Sequence, residues 1–208
     1  MKLILDTTRE NMSIILADGA KVLASSIVND SKHQQHLLPE LEKLLSSNGW
    51  TLNDIGEYAV SIGPGSFTGI RLGIATIKAL SIAFIDRKTY PINMLELAAS
   101  KVKATPNFAV LIKCTSSRVY MGYMENGSFK TLTLENDKAL DLIEKLHLMP
   151  FALDMEILNN IKTQNITLLP QDFAVFCDGK KGEKASTLEP LYMALSQAEE
   201  ELNKKEKK

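Results

Sequence analysis

From Ile70 to Ile85 the chain carries eleven apolar side chains: Ile70, Leu72, Ile74, Ala75, Ile77, Ala79, Leu80, Ile82, Ala83, Phe84 and Ile85. Their spacing surrounds a helix rather than striping it. One face of a sheet cannot cover such a helix, so it is either central to a large core or buried on a second side by a partner. Gly69 and Gly73 lie four apart within it, with Thr76 three further on. Glycine inside a helix costs about 1 kcal/mol relative to alanine, so two of them imply another backbone approaching closely. Packing within the monomer and packing against a partner both satisfy the spacing.

The helix begins where an apolar strand at 57–62 runs into Gly63-Pro64-Gly65-Ser66. Amides at such a helix start can receive a phosphate, and Ser66 or Thr68 can instead cap the helix with no ligand. The spacing matches neither GxxxxGK[ST] nor GxGxxG, which sets aside the P-loop and the dinucleotide fingerprint. Asp6, Thr7 and Thr8 close a first apolar strand. A carboxylate there can hold a metal-bound water, and the hydroxyls can bond phosphate oxygens; Asp6 can equally bond its own turn. Asp6, Thr7, Thr8, Gly63 and Gly65 are therefore the candidate phosphate-facing residues.

Around these features the chain reads as alternating strands and helices. Apolar runs at 3–8, 12–17 and 21–28 are separated by short turn-forming segments and predict an antiparallel meander. Leu37, Leu38, Leu41, Leu44 and Leu45 mark one face of a helix over 33–47, stopped by Gly49. A strand at 89–92 and a helix at 94–102 precede the break Ala104-Thr105-Pro106-Asn107. Strands at 108–112, 119–125 and 129–134 then restart the series, with a turn at Asn126-Gly127 and a helix at 136–146. This order predicts a duplicated α/β architecture with mixed central sheets. It divides into an N-terminal domain at 1–104, carrying the partner-binding helices, and a smaller, divergent domain at 105–208 with a charged tail from Glu199 to Lys208.

The 208 residues are 45% hydrophobic and carry a formal net charge of −1, which gives no electrostatic case for direct nucleic-acid binding. Cys114 and Cys177 form no CxxC pair and read as cytosolic thiols. Asp6 follows only three apolar residues, unlike a signal peptide, and Arg71 and Lys78 interrupt a run too short for a membrane span. A cytoplasmic location is expected. His33 and His36 lack a third ligand nearby, His147 stands alone, and no nucleophile elbow is present. No catalytic or metal-binding residue is assigned.

Three blocks carry a resemblance: residues 3–8, His33 with Leu37-Leu38-Pro39, and above all GPGSFTGIRLGIATIKALS from Gly63 to Ser81. They resemble the bacterial TsaB (YeaZ) family; Val119-Tyr120 and the run from Leu188 to Met193 do so more faintly. The resemblance implies two related domains of actin/Hsp70-like fold, the ASKHA group with ribonuclease H-like topology. It also implies work on threonylcarbamoyladenosine, the modified adenosine beside the anticodon of transfer RNAs that read codons starting with A. In that family the subunit is non-catalytic. It binds and activates its paralogue TsaD, is joined by the ATPase TsaE, forms a homodimer when alone, and meets transfer RNA only through the complex. No cofactor is implied in the isolated chain, with ATP or ADP placed at the complex interface.

In the catalytic paralogue an Asn-His-x-x-x-His motif holds the metal, and the matching stretch here is Asn93-Met94-Leu95-Glu96-Leu97-Ala98. A thioether and a methyl group cannot replace two imidazoles. Where many members carry Asp-Ala-Arg, this chain has Lys113-Cys114-Thr115-Ser116-Ser117-Arg118, reversing the first charge. The partner contact expected from the resemblance and the spacing comprises Leu41 and Leu45 of the first helix with Gly69, Gly73, Ile74, Ile77 and Lys78 of the second. The alternative is a nucleotide-hydrolysing enzyme of the actin-like superfamily using Asp6, Thr7, Thr8 and the turn at 63–65, supported by fold analogy. An older peptidase label for the superfamily finds no metal triad or activated nucleophile in this sequence.

Overall fold

Leu3 and Leu5 point into one core and Ile4 into another, so strand β1 (Lys2–Asp6) is buried at every position. It pairs antiparallel with β2 (Met12–Asp18), which pairs with β3 (Lys21–Val28). Helix α1 (His33–Ser46) lays Leu37, Leu41 and Leu45 against this meander. Strand β4 (Glu57–Gly63) then runs parallel to β1, helix α2 (Phe67–Ala83) follows, and β5 (Lys88–Asn93) runs parallel to β4. Asn93 accepts the amides of Leu95 and Glu96 and so caps the short helix α3 (Met94–Ser100). The computed structural model describes residues 1–194 apart from 31, 85, 104, 155, 156, 159 and 160. The charged tail lies outside the described residues.

A second meander follows: β6 (Phe108–Lys113), β7 (Arg118–Glu125) and β8 (Ser128–Glu135). Asn126 and Gly127 turn between β7 and β8 with φ of 50° and 77°, the left-handed pair that a tight hairpin needs. After α4 (Asn136–Lys145), β9 (Met149–Leu153) joins β6 in parallel. The small hairpin of β10 (Ile157–Leu158) and β11 (Ile161–Lys162) precedes β12 (Gln164–Ile166), parallel to β9, and helix α5 (Pro170–Cys177).

The first sheet contains the order β5-β4-β1-β2-β3 and the second the order β12-β9-β6-β7-β8. Each is a meander with two parallel strands added beyond its first strand. This is the duplicated α/β arrangement, with mixed sheets, that the element order predicts. One core fills the space between the lobes. Ile4, Ile15 and Ala59 of the first sheet meet α3 and α5 there, with Val110, Ile112 and Leu153 of the second. A separate core lies under α1 and α2, and a third under α4. No described helix is long and apolar enough to cross a membrane.

The chain then comes back to its beginning. Strand β13 (Glu183–Lys184) adds to β5, and a 3-10 turn at Ala185–Thr187 brings buried Leu188 beside α2. The Leu191 amide donates to the Ile62 carbonyl at 2.8 Å. Two residues on, Thr133 of β8 donates to the Met193 carbonyl at 2.6 Å. Residues 183–193 thus form a strap touching both sheets.

Candidate functional site: the interlobe cleft and the outer face of α2

The residues that follow β1 turn beneath the start of α2. The Thr7 hydroxyl donates to the Gly69 carbonyl at 2.6 Å, and the Ser66 amide donates to the Thr8 carbonyl at 2.8 Å. Ser66 caps α2 by accepting the Gly69 amide at 3.2 Å. A Cβ on Gly69 would collide with the Thr7 carbonyl. One on Gly73 would lie 2.7 Å from Thr7 Oγ1 and 3.0 Å from Val60 Cγ2. The close backbone at Gly69 is therefore the chain's own turn after β1, whereas Gly73 makes room for the side chains of Thr7 and Val60. Gly63, at φ 120°, packs against the strap, where a Cβ would stand 2.7 Å from the Leu191 carbonyl oxygen.

Asp6 is fully buried at the end of β1. Its Oδ1 accepts the Thr8 amide at 3.0 Å and the Thr8 hydroxyl at 2.7 Å, and its Oδ2 accepts Arg9 Nε at 2.7 Å. Arg9 Nη1 reaches across to Asp154 Oδ2 at 2.8 Å. Burial opposes the charge on Arg9, but Asp6 and then Asp154 outweigh it and raise the guanidinium above its ordinary pKa. Thr8, Arg9 and Asp154 border a cleft of about 470 Å³ between the lobes. Thr8, Arg9, Gly65, Thr68, Lys113 and Asp154 are among the residues lining it.

Of the five candidate phosphate-facing residues, Thr8 and Gly65 line this cleft. Asp6 and Thr7 are buried with their side-chain oxygens engaged inside the chain, and Gly63 lies under the strap. As arranged, Asp6, Thr7 and Thr8 do not fit a magnesium-bound phosphate, because three donors already occupy the carboxylate.

The structure turns most of the residues expected at the partner contact inward. Leu41, Leu45, Gly69, Gly73, Ile74 and Ile77 are buried in the monomer, where the side chains of the four aliphatic residues pack with Leu3, Leu5 and Val60; Lys78 is half-buried. The sheet covers one side of α2. On its outer side Ala75, Ala79, Ile82 and Ala83 are exposed, Ile82 by 78%, and Leu38 of α1 is 60% exposed. Sequence spacing reveals the excess of apolar residues on α2 but not which of them face water.

Sequence reading also misses a surface cluster beside the helix start. The rings of Phe67 and Tyr192 stack with centroids 4.4 Å apart. The Arg71 guanidinium sits 4.0 Å from the Phe67 centroid, and its Nε donates to the Tyr192 hydroxyl at 2.9 Å. Met94 and Ala98 are fully buried between the lobes. His33 Nε2 donates to the Glu10 carbonyl at 2.9 Å, and His36 meets Asp30 at 3.0 Å. Among the described residues no group of three or more His, Cys, Asp or Glu is arranged to hold a metal.

Two mixed sheets of one strand order, facing each other across a cleft, define a two-lobed α/β protein of the actin/Hsp70-like class. The chain belongs to the family described as TsaD: tRNA N6-adenosine threonylcarbamoyltransferase, whose model matches residues 21–207, and it is similar to curated relatives and solved structures named TsaB or YeaZ. The tRNA threonylcarbamoyladenosine biosynthesis protein TsaB of Escherichia coli (strain K12) is 36% identical over 80 residues, covering 38% of this chain and 35% of that protein. TsaB of Haemophilus influenzae is 30% identical over 122 residues, covering 57% and 51%. The matched part of the chain thus spans from about a third to about half of these two relatives. Among solved structures, YeaZ from Pseudomonas aeruginosa superposes with a TM-score of 0.66 at 23% identity, over 92% of this chain and 98% of that one. Another solved structure, described as an uncharacterized protein with similarity to peptidase YEAZ from Pseudomonas aeruginosa, gives a TM-score of 0.70 at 22% identity, over 93% and 99%. At such identities the likeness is one of fold.

Proposed function

We propose that this chain is a cytoplasmic, non-catalytic subunit that binds and activates TsaD in the threonylcarbamoylation of the adenosine beside the anticodon. The observation that carries the reading is the apolar outer side of α2, in a chain whose curated relatives include proteins named for tRNA threonylcarbamoyladenosine biosynthesis. Exposed Ala75, Ala79 and Ile82 make a shallow strip on α2, and Leu38 is an exposed apolar residue on α1; helices of a partner can pack there. Burial of such a strip contributes about 25 cal/mol per Å² of apolar area before ordering costs. The inward residues Leu41, Leu45, Gly69, Gly73, Ile74 and Ile77 act in this scheme by fixing α1 and α2 on the sheet, and Lys78 borders the strip. TsaE joins the assembly, ATP or ADP binds at the interface between subunits, and transfer RNA is met through the complex. The same strip pairs two copies of the chain when TsaD is absent.

Co-purification with TsaD tests the reading. Leu38→Asp and Ile82→Asp should each weaken TsaD capture at least tenfold while the far-ultraviolet spectrum and melting temperature stay near those of the parent. Undiminished capture and full tRNA-modifying activity with both substitutions would sink it.

A further inference from the structure

We infer that Arg9 is a built-in cation of the interlobe cleft, filling the place between Asp6 and Asp154 that a divalent metal with bound phosphate would need and tying the two lobes together there. Asp6 ends β1 in the first lobe, and Asp154 directly follows β9 in the second. One guanidinium serves both, through Nε at 2.7 Å and Nη1 at 2.8 Å. Only 13% of the Arg9 side chain is exposed, and the Phe173 ring of α5 backs its guanidinium at 5.6 Å. The position is held from behind as well as from both ends.

The chemistry of the surrounding groups points the same way. Hard divalent cations collect several oxygen ligands at about 2.0–2.6 Å. Asp6 has both carboxylate oxygens engaged, by Thr8 on one and Arg9 on the other. A metal arriving here would have to break the Asp6–Arg9 pair and then sit beside the displaced guanidinium. Lys113 adds a second positive charge to the cleft wall. Among the lining residues, Glu10 and Asp154 are the acids, and Asp154 already pairs with Arg9. The cleft therefore takes no metal–nucleotide, and an ionic bridge, buried at Asp6 and 42% exposed at Asp154, joins its two walls. This inference is independent of the outer face of α2 and stands or falls separately from TsaD binding.

Titration of the full chain with Mn²⁺, alone and with ADP, tests the cation assignment by paramagnetic resonance of the free ion. The parent should show no saturable binding up to millimolar Mn²⁺. Arg9→Ala, which bares two carboxylates, should bind Mn²⁺ at least tenfold more tightly, and Arg9→Ala with Asp154→Asn should reverse the gain. Saturable Mn²⁺–ADP binding by the parent, or no gain in a folded Arg9→Ala chain, overturns the assignment. Asp154→Asn alone keeps the buried Asp6–Arg9 pair and removes the bridge to the second lobe. It should speed hydrogen exchange of the amides at 6–10 about tenfold; unchanged exchange there overturns the bridging role.

Discussion

Thr7 and Gly69 are joined by a 2.6 Å hydrogen bond from hydroxyl to carbonyl, at a point where a β-carbon on residue 69 would run into the Thr7 carbonyl. Alanine at 69 gains about 1 kcal/mol in helix propensity. Overpacking of a filled site costs about 1–3 kcal/mol, and here the obstructing atom is backbone that cannot rotate aside. With the cost at the upper end of that range, Gly69→Ala should destabilise the monomer by up to about 2 kcal/mol net. Urea unfolding measures it, and a midpoint at or above that of the parent would refute the packing account.

The strap is fastened by its ring contact. Stacking of Tyr192 on Phe67 is worth about 0.5–1.5 kcal/mol, and the hydrogen bond from Arg71 contributes about 1 kcal/mol. Tyr192→Ala should loosen residues 188–193 while leaving both sheets intact. Exchange of the Leu191 amide, which is bonded to Ile62, should accelerate about tenfold or more. Equal protection in parent and variant would show that the rings merely decorate the strap.

Cys177 supplies a pH dependence on the alkaline side. Burial pushes its thiol from 9.0 up to about 11. The folded state keeps the proton longer than the unfolded chain, so the stabilising effect is full below about pH 9 and is lost as pH rises through 11. The decline in stability between those values should be shallower in Cys177→Ala. At pH 8, thiol reagents should modify Cys177 only at the rate of unfolding, whereas half-buried Cys114 reacts directly. Fast labelling of both cysteines in the folded chain would contradict the burial.

Much of the frame is legible in the residues because its signals are local. Leu37, Leu41 and Leu45 recur at helical spacing and do face the sheet, Ser66 caps the helix it precedes, and Asn126-Gly127 makes its hairpin turn. What escaped depends on contacts distant in sequence. Arg9 and Asp154 are 145 residues apart, and no spacing rule couples them. The two-residue strand β13 has no periodicity to announce it, and its position is set by β5. Gly69 and Gly73 announce a close approach, but only the assembled sheet shows that it is the backbone of the turn after β1 at Gly69 and the side chains of Thr7 and Val60 at Gly73. Likewise, the excess of apolar residues on α2 is visible in the sequence, while only the helix set on β4 shows that Ile77 is buried and Ile82 exposed.

The returning strap also orders events during synthesis. Residues 183–193 leave the ribosome after every other strand of both sheets, yet they add β13 to β5 and rest on the start of α2. The lobe translated first therefore reaches its finished form almost last, and a nascent chain stalled before residue 183 presents β5 and the start of α2 uncovered to chaperones.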